Sequence, residues 1–154
     1  MKIPVIINNR NFVTWPKAMV EKIKEYDGVG EIIIVDNAST YPPLLEWYAT
    51  NPCRIERLNN NVGVAAPWIS GVVESLKGVP YVVTDPDLGL NDTPKDTLLY
   101  LLDKLNSLQL DKVGLGRTGR EWKVNLLITT VFIYMKKIDG SNLLRRMEWL
   151  LKCK

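Results

Sequence analysis

The sequence contains no histidine among its 154 residues. This absence excludes a Ser-His-Asp triad, a Cys-His dyad, histidine metal ligands and histidine acid–base catalysis. Any acid–base or metal chemistry in this chain therefore has to rest on other side chains, above all on its carboxylates.

Cysteine is also scarce. The two cysteines, Cys53 and Cys153, are 100 positions apart and form no Cys-x-x-Cys motif. Two such distant cysteines are expected to be free thiols in a reducing compartment.

Long apolar runs are missing as well. The first residues, MKIPVIINNR, contain an apolar run that is too short for the hydrophobic region of a signal peptide. The longest apolar-leaning stretch, 124–135, is shorter than the ~20 residues that a helix needs to cross a bilayer. We therefore expect a soluble, cytoplasmic protein without a signal peptide or a transmembrane span.

The charge is unevenly distributed along the chain. Residues 1–116 contain 11 Lys and Arg against 14 Asp and Glu, a net charge of −3, whereas residues 117–154 contain 9 against 3, a net charge of +6. The length suits one domain with a substantial core. We predict that 1–116 form the body of this domain and that 117–154 are a short basic segment that completes or flanks it.

Short apolar runs alternate with helical patterns along the body. The predicted strands lie at 3–7, 31–35, 54–58, 81–84 and 112–116. The predicted helices cover 14–24, with Thr14 as its cap, a short segment from 42, 66–77, and a leucine-rich segment from 94 capped by Asp92 or Thr93. This alternation with short connections predicts an α/β fold with a mainly parallel, Rossmann-like sheet flanked by helices.

Four of the predicted strands end in polar clusters. The clusters are Asn8-Asn9-Arg10, Asp36-Asn37, Asn59-Asn60-Asn61 and Asp85-Pro86-Asp87. In an open parallel sheet, the ligand crevice lies beyond the carboxyl ends of the strands. The four clusters are therefore expected to converge on one site.

The cluster Asp85-Pro86-Asp87 indicates metal binding. Pro86 ends the strand and restricts its neighbours, so the two carboxylates are held in a fixed relation and repel each other. A hard cation such as Mg²⁺ or Mn²⁺ relieves that repulsion and completes its shell with waters and substrate phosphates. The pair is predicted to hold such a cation at a diphosphate.

A phosphatase-type nucleophile is the competing interpretation, because that motif is also a strand followed by Asp-x-Asp. Gly89 stands where that motif normally has Thr or Val. The sequence after the pair also leaves little room for the lysine and second acidic pair that such an enzyme needs.

Four segments resemble, in the right order, the nucleotide-sugar half of a GT-A fold glycosyltransferase. They are PVIINNRN, IIIVDNASTYPPLLEWY, LNNNVGVAAPW and YVVTDPDL, within residues 3–116. The Asp-x-Asp (DXD) motif alone is weak evidence, but the four segments are particularly similar to a glycosyltransferase domain encoded by large chlorella viruses. The resemblance implies a viral, metal-dependent hexosyl- or deoxyhexosyltransferase in the host cytoplasm, with a UDP-sugar donor and a glycan or glycoprotein acceptor.

The resemblance also implies a role for each cluster. Asp36 would accept hydrogen bonds from the uracil or ribose, Asp85 would face the ribose or sugar and share the metal, and Asp87 would coordinate Mn²⁺ or Mg²⁺. The other implied nucleotide-sugar contacts are Asn8, Asn9, Arg10, Asn37, Ser39, Asn61, Gly63, Ala66 and Trp68. Trp15, Trp47 and Trp68 are all expected to pack, and Trp68 is the one considered for stacking on a base or sugar.

The segment after residue 116 departs from the family. The stretch 128–134 faintly resembles a late strand of the family, but Ile128 stands where an acid is expected, and the acceptor region is short. Glu121 is the acidic residue considered as a catalytic base in the short stretch between the predicted fifth strand and residue 128, and no motif ties it to catalysis.

The end of the chain predicts a basic amphipathic helix beginning at Ser141. Its apolar positions are Leu143, Leu144, Met147, Leu150 and Leu151. The helix either packs on the sheet or contacts an anionic membrane surface, and a truncated or divergent gene product is a third interpretation.

Two functions remain open from the sequence. One is a metal-dependent glycosyltransferase, and the other is a nucleotide-sugar-binding remnant with little transfer activity. Nucleic-acid binding is not expected, because the basic tail carries no recognised motif.

Overall fold

Four parallel strands form the sheet that carries the site. In the computed structural model, the described residues are 1–51, 53–90, 92–118 and 121–125, with side chains described as far as Leu115. The strands are β1 (Ile3–Asn9), β2 (Val29–Asp36), β3 (Arg54–Arg57) and β4 (Val82–Thr84). The sheet order is β3-β2-β1-β4, so the chain moves outward from β1 and then returns to place β4 on the other side of β1. This reversal creates a topological switch point between β1 and β4.

In the part of the chain that the structure describes, five helices connect and cover these strands. They are α1 (Thr14–Lys24), α2 (Pro42–Thr50), α3 (Ala66–Ile69), α4 (Val72–Ser75) and α5 (Thr97–Ser107), with a single 3-10 turn over Gly63–Ala65 before α3. None of the helices in the described part combines the length and the apolar character that a membrane span requires.

The sheet is buried on both faces, as a parallel sheet requires. Alternate β1 residues lie in different core clusters: Val5 and Ile7 pack under α1, α2 and α5, whereas Ile6 packs on the side of α3 and α4. The helical spacing of apolar residues was predicted correctly, since Met19, Val20 and Ile23 of α1 and Leu98, Leu101 and Leu105 of α5 are all buried. A fully buried Leu or Ile side chain contributes about 1.5–3 kcal/mol, so both helix faces contribute substantially to the core.

Three helix predictions need correction. The helix expected over 66–77 is divided into α3 and α4, because Gly71 adopts the left-handed conformation (φ 79°), which ends a helical hydrogen-bond ladder. Thr14 is the first residue of α1 rather than its cap, and no side chain caps that helix. Helix α5 begins only at Thr97, and Thr93 instead bonds the carbonyl of Leu90 at 2.6 Å.

The fifth strand does not continue the parallel sheet. It is observed as β5 (Gly114–Thr118) and pairs antiparallel with a strand that was not predicted, β6 (Glu121–Asn125). Glu121 opens β6, but its side chain is outside the described part. The predicted strand at 128–134, the helix from Ser141 and Cys153 also lie outside the described residues, whereas Cys53 is a half-buried free thiol.

Candidate functional site

The switch point between β1 and β4 carries the two carboxylates of the Asp-Pro-Asp cluster. Asp85 follows β4 directly and is partly buried, whereas Asp87 is exposed. Burial and then the charge of Asp87 raise the pKa of Asp85. Within the described residues, no Lys or Arg forms an ion pair with either carboxylate. The two acids therefore repel each other without a protein cation between them.

This pair suits a hard divalent cation that takes only some of its ligands from the protein. No group of three or more His, Cys, Asp or Glu side chains in the described part is arranged to hold a metal ion. Mg²⁺ and its analogues are commonly bound by one or two carboxylates, with waters and substrate phosphates completing the shell. Asp85 and Asp87 supply that number of ligands.

Asp36 ends β2 and lies below the surface. Its side chain is 0% exposed, and it accepts hydrogen bonds from the Tyr48 hydroxyl (3.2 Å), the Ser39 amide (3.2 Å) and Arg57 Nε (3.1 Å). The sequence predicts that this carboxylate contacts a nucleotide directly. In the structure the protein's own donors cover it, so a direct contact requires one of them to move, and that contact stays a prediction.

Asn9 connects the end of β1 to the same network. Its Nδ2 donates to the Tyr48 hydroxyl at 2.8 Å and to the Phe12 carbonyl at 2.9 Å, while its Oδ1 has no partner in the described part. Burial, together with the charge of Asp36, raises the pKa of Tyr48, so its hydroxyl stays protonated and donates to Asp36. Asn9 and Tyr48 thus hold the ends of β1 and β2 in a fixed relation.

The loop after β2 is tied to the loop after β3 by Asn37. The Asn37 side chain donates to the Gly63 carbonyl at 2.9 Å and accepts from the Val62 amide at 2.8 Å, and its backbone amide donates to the Asn9 carbonyl at 2.9 Å. Both ends of the Asn37 amide are therefore used within the protein, although the sequence predicts a contact with the nucleotide sugar.

Asn11 ties the loop after β1 to the loop after β2. Its backbone amide donates to Ser39 Oγ at 2.9 Å, and its Oδ1 accepts from the amides of Thr40 and Tyr41 at 2.8 and 3.1 Å. Sequence reasoning missed Asn11, and its place in the polar NNRN turn was the available signal. We call the bonds made by Asn9, Asn11 and Asn37 the asparagine frame, since they join three loops at the carboxyl edge of the sheet.

The remaining predicted site residues are divided between this edge and the core. Asn8 is half-buried, and its Oδ1 has no partner among the described residues. Arg10 is exposed, and Asn61 is exposed and accepts from the Gly63 amide at 3.0 Å. Gly63 has a φ of +66°, and no atom of the described residues lies within 4 Å of the position that a Cβ would take, so the described part of the chain leaves the space beside it open.

Two predicted contacts belong largely to the core. Ala66 is fully buried, and Trp68 packs on the same side of the sheet. Burial raises the pKa of Tyr81 on that side to about 12, and a hydrogen bond with Trp68 offsets part of the rise. Trp47 packs against the core as expected, but Trp15 is 52% exposed, so the expectation that it packs is wrong.

Ala38 holds a strained backbone conformation inside this loop frame. Its φ is +57°, in the left-handed region that costs an L residue about 1–2 kcal/mol. We expect Ala38→Gly to raise the free energy of unfolding by about 0.5–1 kcal/mol, because glycine adopts this conformation without strain. The larger backbone entropy that glycine loses on folding offsets part of this gain. Urea unfolding measures the change. Ala18→Gly, at an exposed position of helix α1, is the control and should be destabilising. Equal destabilisation of both variants would contradict the prediction.

No protein-family model and no curated protein sequence matches the chain. Solved structures do match it. Mannosyltransferase PcManGT from Pyrobaculum calidifontis, in complex with GDP-Man and Mn²⁺, has a TM-score of 0.60 and 24% identity and is matched over 78% of this chain and 36% of its own. This chain thus spans about a third of that enzyme.

Two further structures share the fold at lower identity. CMP:2-keto-3-deoxy-manno-octonic acid synthetase complexed with CTP has a TM-score of 0.50 and 12% identity over 75% of this chain and 52% of its own. For 4-diphosphocytidyl-2C-methyl-D-erythritol synthase the values are 0.53 and 9%, over 89% and 75%. These likenesses show a GT-A-like, Rossmann-like fold, as predicted. The similarity to a viral domain stays a prediction.

Proposed function

We propose that this chain binds a UDP-sugar together with Mn²⁺ or Mg²⁺ and transfers the sugar to a glycan or glycoprotein acceptor. The observation that carries the proposal is the pair Asp85 and Asp87 at the switch point, where two carboxylates lie close together without a cationic partner in the described residues. The shared fold supports it, since one neighbour was solved with GDP-Man and Mn²⁺.

The residues of the chain supply binding and orientation in this proposal. A bound cation would neutralise the charge that develops on the diphosphate leaving group. Asp85 and Asp87 would hold that cation, and the asparagine frame would keep the three loops beside it in place. Arg10, exposed at the end of β1, adds a positive charge at the same edge. Positioning of this kind lowers the barrier without a covalent step by the protein.

The acceptor side of the reaction is less complete than the donor side. Transfer with inversion requires a base that takes the proton of the acceptor hydroxyl. We assign no such base, and Glu121 at the start of β6 stays the candidate for it. This favours slow transfer and keeps nucleotide-sugar binding with little transfer as the second candidate function.

One experiment on a single preparation tests the proposal. We expect UDP and UDP-sugars to bind with clear dependence on Mn²⁺ in calorimetry. UDP release should be slow, below about 1 per second, and a panel of sugar acceptors should raise it only modestly, because transfer and hydrolysis of the donor are expected at comparable rates. Acceptor-stimulated turnover of ~1 to 10³ per second would show that a complete acceptor site exists. Absence of metal-dependent UDP binding would refute the proposal, and pyrophosphate release from CTP would instead indicate a nucleotidyl synthetase.

A further inference from the structure

Arg57 is an anchored arginine at the carboxyl edge of the sheet that the sequence did not single out. It ends β3 and pairs in register with Asp36. Its Nε donates to Asp36 Oδ2 at 3.1 Å, and its Nη2 donates to the Ser39 carbonyl at 3.2 Å. The side chain is nevertheless 52% exposed. Arg57 is therefore held at two points and still faces solvent.

The guanidinium keeps donors for a ligand. It carries five N–H groups in one plane, and among the described residues the two bonds to Asp36 and Ser39 leave three of them unassigned. A plane fixed at two points presents its remaining donors in a set direction, so little entropy is lost when a ligand accepts from them. The adjacent Asp36 carboxylate compensates the positive charge. The pair is thus better suited to a neutral acceptor, such as a carbonyl oxygen, than to a phosphate.

The position of Arg57 corresponds to the base end of a bound nucleotide. Strands β3 and β4 are the two outer strands of the four-stranded sheet. Three strand spacings, about 14 Å along the carboxyl edge, therefore separate Asp85 from Arg57. A nucleoside diphosphate whose phosphates lie at the Asp85–Asp87 pair spans a comparable length. The open space at Gly63, in the loop that follows β3, leaves room for a planar ring on this side.

We propose that Arg57 reads the base of the nucleotide and selects oxo bases, uracil and guanine, over amino bases, cytosine and adenine. This inference rests on the proposed function. Arginine donors complement the carbonyl oxygen of an oxo base, whereas the amino group at the equivalent position of cytosine presents a donor against a donor. Asp36 and Ser39 act through Arg57 by fixing its orientation.

UDP and CDP are the matched probes, because they differ only by the oxygen or amino group at one ring position. We expect the chain to bind UDP about 10- to 100-fold more tightly than CDP in calorimetry with Mn²⁺. Arg57→Ala should remove most of this preference, because it weakens the binding of UDP and changes the binding of CDP little. Arg57→Lys keeps a cation beside Asp36 and so preserves folding, but lysine lacks the planar set of donors. This variant should therefore also lose the preference for UDP over CDP.

Arg54→Ala is the matched control. Arg54 begins the same strand, is 41% exposed and forms a surface ion pair with Glu56, so its loss should leave the preference for UDP unchanged. Thermal melts and the Mn²⁺ dependence of UDP binding show whether each variant is folded. A wild-type preference that persists in Arg57→Lys would overturn this inference and leave the proposed function standing. A chain that binds neither nucleotide would overturn both.

Discussion

Asp87→Asn is expected to abolish the Mn²⁺ dependence of UDP binding while the chain remains folded. Asp87 is exposed and is one of the two switch-point carboxylates that form no ion pair among the described residues, so its charge can be removed without disturbing the core. Loss of an outer-shell partner of a metal commonly costs about 10- to 100-fold in metal affinity, and loss of a direct ligand should cost at least as much. Calorimetric titration of UDP at several Mn²⁺ concentrations measures the effect.

Asp92→Asn is the matched control for this prediction. Asp92 is an exposed acid in the same connection between β4 and α5, so its substitution makes the same change of charge nearby. Its UDP affinity should respond to Mn²⁺ as in the wild type. A folded Asp87→Asn variant that keeps the wild-type response to Mn²⁺ would place the metal elsewhere.

Asp36→Ala is expected to lower the free energy of unfolding by about 3 kcal/mol. The change removes the acceptor of three hydrogen bonds and leaves the proton of the buried Tyr48 hydroxyl and the Ser39 amide without an acceptor. An unsatisfied buried donor costs about 1–3 kcal/mol, and loss of the pair with the half-exposed Arg57 adds a smaller cost. Urea unfolding monitored by tryptophan fluorescence measures the change.

The same variant also tests whether Asp36 matters for the nucleotide. We expect UDP affinity to fall by about 1–3 kcal/mol, with or without Mn²⁺, because the loop that carries Ser39 loses its anchor. Asp92→Ala, at an exposed acid, should change neither stability nor affinity appreciably. A loss of affinity confined to Mn²⁺-containing samples would instead assign Asp36 to the metal.

The sheet could be predicted from the sequence because its signals are local. The isoleucine run of β2 predicts a strand buried on both faces, and Pro86 marks the end of β4 between two acids. The four polar clusters were expected at one edge, and they follow the carboxyl ends of the four parallel strands. Hydrophobic periodicity and proline chemistry were sufficient for this part of the fold.

The contacts that define the site could not be predicted in the same way. Asn9 meets Tyr48 across 39 positions, and Arg57 meets Asp36 across 21, so these bonds depend on the order of the strands rather than on any short pattern. Tyr48 lies in the short helix predicted from residue 42, but its hydroxyl contact was not visible in the sequence. Likewise, Gly71 gave no local sign that it would divide the predicted helix, because a glycine is tolerated within many helices.

The asparagine frame has a consequence for how fast a ligand can be captured. Because Asn11 and Asn37 already order the loops after β1, β2 and β3, the conformational entropy of these loops is lost during folding and not on association. The free and bound backbones should therefore differ little at this edge. Association would then be governed by diffusion and orientation, and differences in affinity among related nucleotides would arise mainly in their dissociation rates.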